Sequence, residues 1–97
     1  MSKDEAYRLL LSEFLKEKVG LFGDVAVRKA RSISGLDVAP DGKVVAVVGD
    51  PLETLRELLA VFERLSGLAS TVSARRLVQT LGLREKIPGI ELPDGLT

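Results

Sequence analysis

Three observations predict an α+β fold: two pairs of amphipathic helices, one β-branched run behind a Pro-Asp-Gly turn, and glycine- or proline-rich junctions between them. The helix pairs are expected over about 4–34 and 51–81, flanking a β-hairpin over about 36–48. The chain of 97 residues has room for one hydrophobic core, so 1–97 is read as a single small domain.

The first helix is expected from Asp4 to Val19. Ala6, Leu10 and Phe14 and, beside them, Tyr7, Leu11 and Leu15 recur in steps of four, while Glu13, Lys16, Glu17 and Lys18 take the other side. Ser2 or Asp4 caps its start and Gly20 ends it. A second helix follows from about Asp24 to Ser34, with Val27, Ala30 and Ile33 as its apolar edge and Gly35 as its stop. Leu36–Ala39 leads into Pro40-Asp41-Gly42, and Lys43–Val48 is the return strand. Asp50 caps the third helix with Pro51 at its first position, and Leu52, Leu55, Leu58, Leu59, Phe62 and Leu65 form its buried stripe. Ser66-Gly67 separates it from a fourth helix that runs to Leu81. The tail from Arg84 holds Pro88, Gly89, Pro93 and Gly95 and cannot stay helical beyond its first few residues.

Residues 7–36 and 55–83 resemble a repeated unit. With Lys18 skipped, Arg8 aligns with Arg56, Phe14 with Phe62, Gly20-Leu21 with Gly67-Leu68, Arg28 with Arg75 and Gly35-Leu36 with Gly82-Leu83. Two readings stand: internal duplication, or the resemblance that any two leucine-rich helix pairs share. Duplication predicts that Ile90–Leu92 is ordered and strand-like beside the hairpin, because Gly89–Gly95 repeats the pattern of Gly35–Gly42. The alternative is a frayed terminus.

Composition excludes much chemistry. The chain has no Cys and no His, which removes thiolate metal sites, cysteine nucleophiles and the commonest general base near neutral pH. Asp37, Asp41, Asp50 and Asp94 occupy turns and caps, no phosphate-binding glycine loop or calcium-loop spacing occurs, and no cofactor or metal is expected. The chain is read as no enzyme. No apolar run approaches a membrane span, and Met1–Glu5 resembles no leader, so a cytoplasmic protein is expected. With neither Asn nor Cys and a single Gln, the composition also hints at a thermophilic source.

Val44-Val45-Ala46-Val47-Val48 does not alternate apolar with polar, which predicts a strand covered on both faces. Four short helices cover one face readily and the second with difficulty, and a lone two-stranded ribbon is marginal. The expected remedy is a homodimer with Val45 and Val47 as self-association residues, and the expected role is a protein-interaction or regulatory module. The competing arrangement sandwiches the hairpin between helices of one chain.

The second helix of each pair is basic. Arg28, Lys29 and Arg31 stand against Asp24, and Arg75 and Arg76 have no neighbouring acid on their helix. Helix–turn–helix followed by a hairpin loosely resembles the second half of a winged helix, with Pro40-Asp41-Gly42 at the wing tip. That resemblance implies nucleic-acid binding through helices 24–34 and 70–81. Against it, the unit has two helices before its wing where a winged helix has three, and the chain is neutral, with a pI near 6.3. Nucleic acid therefore stands as the alternative partner.

Overall fold

Ser2 opens the first helix: its hydroxyl accepts the Glu5 N–H at 3.1 Å and donates to the Glu5 carboxylate. In the computed structural model, which describes residues 1–96, this helix is α1, Lys3–Phe22. It runs through Gly20 and stops at Gly23, one turn later than the sequence suggests. An exposed helical glycine costs about 1 kcal/mol. Extending the helix by that turn brings Phe22 onto Phe62, with ring centroids 6.4 Å apart, and that burial outweighs the cost.

Helix α2, Asp24–Arg31, is shorter than expected. Beyond it Ser32 donates its hydroxyl to the Lys29 carbonyl at 2.6 Å, and the chain turns so that Ile33 drops into the core. Strands β1, Leu36–Val38, and β2, Val44–Val47, form the antiparallel hairpin. Asp41 closes its turn by accepting the Lys43 N–H at 2.9 Å. Leu36 pairs with Val47 and Asp37 with Ala46, but Val38 pairs with Val44, so Val45 is the extra residue of a bulge.

Asp50 caps α3, Pro51–Ser66, by accepting the Leu52 N–H at 3.0 Å. Helices α4, Ala69–Leu81, and α5, Leu83–Lys86, complete the fold. Among the described residues the architecture is α+β, five helices around a two-stranded hairpin. Helix α1 is the hub, packed against α2, α3, α4 and β2. Phe14 meets Phe62 edge to face at 5.6 Å, and the leucines of both stripes close the core around them.

Ile90–Leu92 is not a strand, and among the described residues the sheet has two strands. The Tyr7 hydroxyl donates to the Glu91 carbonyl, Leu92 and Leu96 are buried, and Arg75 and Arg84 donate to the Gly95 and Leu96 carbonyls at 2.6 Å. The tail thus lies on the helices, where apolar side chains and arginines hold it. Among the described residues no helix is long and apolar enough to cross a membrane.

The two helix pairs share one junction geometry. Gly23 has φ 61° and ψ −139°, and Gly67 has φ 61° and ψ −146°. By cap geometry it is Gly23, rather than Gly20, that resembles Gly67. With Gly23 set on Gly67, buried Leu11, Leu15 and Ala30 fall on buried Leu55, Leu59 and Ala74. In the same register Lys18 falls on Phe62.

Candidate functional site

The hairpin has an inner and an outer face. Leu36, Val38 and Val44 point inward and are buried. Val45 and Val48 point outward and are 52% and 74% exposed. The expectation that both faces are covered is met within one chain on one face only. Bulging at Val45 breaks the alternation of the strand and turns an apolar side chain to the outside. The two residues expected to self-associate are thereby separated: Val45 is open, whereas Val47 is half-buried against the core opposite Leu36.

The edges differ as well. On β1 the Val38 carbonyl accepts both Nε and a terminal nitrogen of Arg31, at 3.3 and 3.0 Å, and the Leu36 N–H donates to the Ile33 carbonyl. That edge is closed. On β2 the Val44 N–H donates to the Ser12 hydroxyl at 2.9 Å, which ties the strand to α1. Val48 donates to the Gly35 carbonyl at 2.7 Å, so the neighbouring pair Leu36/Val47 is of the non-bonded kind. The Val47 amide and carbonyl therefore point away from β1, along the open side of β2.

Beside that side runs the first half of α1. Arg8 lies at the centre of a trough: one depression joins it to Lys43, Val44 and Val45, and another joins it and Glu5 to Val47 and Gly49. Arg8 has no hydrogen-bond or ion-pair partner among the described residues. Farther along the helix Lys16 lies 3.8 Å from Glu13.

The basic helices are less available than their composition suggests. Arg31 is spent on the Val38 carbonyl and Arg75 on the Gly95 carbonyl. Arg28, Lys29 and Arg76 remain exposed, without such contacts among the described residues. Asp41 and Asp50 serve the turn and the cap, and among the described residues no cluster of His, Cys, Asp or Glu is placed to hold a metal.

One functional group escaped the sequence reading. Lys18, assigned to the polar side of α1, is 2% exposed. Its ammonium sits 3.9 Å from Glu17 and 5.0 Å above the Phe14 ring, and Glu17 also accepts the Ser73 hydroxyl from α4. One more step of four along Ala6, Leu10 and Phe14 lands on Lys18, so the spacing carried the signal. Burial lowers the Lys18 pKa from 10.5, and the Glu17 carboxylate partly opposes this. The native state then binds fewer protons than the unfolded chain just below pH 10.5, and stability attributable to Lys18 rises with pH through that window. Lys18→Met removes the buried charge and keeps the shape. It is expected to stabilise the fold by about 1 kcal/mol at neutral pH, with the gain shrinking toward alkaline pH. Urea denaturation of both proteins at several pH values measures the difference.

Comparison with protein-family models, with curated proteins and with solved structures finds no match to this chain.

Proposed function

We propose that the chain is a non-catalytic protein-interaction or regulatory module that acts in the cytoplasm as a homodimer built on the open side of β2. The observation carrying this reading is the outward pair Val45 and Val48, 52% and 74% exposed beside an unpaired stretch of strand edge. Burying a valine side chain fully is worth about 1.5–3 kcal/mol, and a two-stranded sheet is marginal on its own. A second copy presents the same valines and satisfies both needs at once. The nucleic-acid reading draws less support, because two of its five basic residues, Arg31 and Arg75, are held by backbone carbonyls of the same chain.

Val45→Lys tests the proposal. The variant is expected to keep the wild-type circular dichroism spectrum and to sediment as a monomer where the wild type sediments as a dimer. Val47→Lys is expected to act differently, loosening the hairpin itself, since its side chain faces the core. A wild type that is monomeric throughout the micromolar range sinks the homodimer. Salt-sensitive binding to duplex DNA, lost in Arg28→Glu, would move the reading to nucleic acid.

A further inference from the structure

The side of α1 that borders the trough carries Glu5, Arg8, Glu13 and Lys16, all exposed or half-exposed. Read from either end, the spacing of these four residues is the same and the signs are opposite. Two such helices laid antiparallel about a two-fold axis between Leu10 and Leu11 set Glu5 against Lys16 of the second copy. Arg8 then faces Glu13 of the second copy, and symmetry repeats each pair. Half-buried Leu9 and the Ser12 position flank the axis.

Strand β2 runs antiparallel alongside this part of α1. Ser12 holds the Val44 N–H, Arg8 adjoins Lys43 and Val45, and Glu5 adjoins Val47 and Gly49, so the middle of α1 stands opposite Val45. One axis therefore matches the four charges and turns the exposed Val45 of each copy toward α1 of the other. A strip lined by both signs of charge suits a self-complementary partner better than a uniformly acidic or basic one.

We infer that this strip is the homodimer interface, with α1 of each copy seated in the trough between α1 and β2 of the other. The inference rests on the homodimer reading above and adds the surface, the orientation and the ionic code that sets it.

Sedimentation equilibrium of full-length charge variants tests it. Arg8→Glu alone opposes two acids at two symmetric places, and Glu13→Arg alone opposes two bases. Each is expected to weaken self-association roughly tenfold or more at low salt. Mixed in equal amounts, the two variants restore both attractive pairs and are expected to form heterodimers at near wild-type affinity, an effect that high salt diminishes. Lys16→Glu mixed with Glu5→Lys repeats the test, so misfolding of one variant leaves the other series to decide. A wild-type dimer indifferent to Arg8→Glu and Lys16→Glu, yet broken by Val45→Lys, overturns the strip and leaves the homodimer standing. A monomeric wild type overturns both and leaves the trough open to a segment of another protein.

Discussion

Phe62→Ala is expected to cost about 3–5 kcal/mol of folding stability. Phe62 is fully buried and touches aromatic rings at two levels of α1, Phe14 edge to face at 5.6 Å and Phe22 stacked at 6.4 Å. Alanine at this position leaves a ring-sized void between α1 and α3, and neither helix can close it without losing the other contact. Domains of this size are stable by only about 5–15 kcal/mol, so the loss is a large share of the whole. Phe62→Leu fills most of the volume and is expected to fall between wild type and alanine. Guanidinium denaturation measures all three. A loss under about 1 kcal/mol for the alanine variant would mean that the aromatic contacts do not join the two helix pairs.

The same cluster explains where the sequence could be read and where it could not. Helices α1 and α3 were legible because their apolar residues recur at helical spacing, and the hairpin because a turn triplet precedes a β-branched run. Such signals are local. The end of α1 is not: the sequence offers Gly20 as a stop, but the helix runs on to Gly23, where Phe22 reaches Phe62 across the core. The cap geometry favours another register for the two helix pairs at the same place. A leucine stripe nearly matches itself when shifted by one helical turn, so side-chain identity set Gly20 on Gly67, whereas the cap dihedrals set Gly23 there.

The candidate site was half legible for a related reason. An unbroken valine run announces apolar surface on both sides of a strand, and Val45 is indeed open. Which valines face out depends on the bulge, and the bulge is invisible in a sequence that is apolar at every position from 44 to 48. Ile90–Leu92 repeats the apolar-acidic-apolar pattern of β1 without its neighbours. Arg31 and Ile33 close the edge of β1, and Tyr7, Arg75 and Arg84 hold the tail on the helices instead.

Gly35→Ala is the second large effect, and it reaches the candidate site through the backbone. Gly35 has φ 82°, and a Cβ built there stands 2.4 Å from the Val48 carbonyl oxygen and 3.4 Å from its carbon. Those atoms cannot simply retreat, because the Val48 N–H donates to the Gly35 carbonyl at 2.7 Å and that bond starts the ladder. The left-handed conformation costs a non-glycine residue about 1–2 kcal/mol, and a broken ladder bond adds about 1 kcal/mol. A total of about 2–3 kcal/mol is expected, with β2 displaced and self-association through Val45 weakened along with stability. Gly49→Ala supplies the control: Gly49 has φ 96°, but a Cβ there meets nothing within 4 Å. It pays for the conformation alone, so Gly35→Ala should be the more damaging by at least about 1 kcal/mol in the same denaturation experiment. Equal losses would mean that the hairpin yields at Val48 without cost, and that the outward valines are not held in place by the junction between Gly35 and β2.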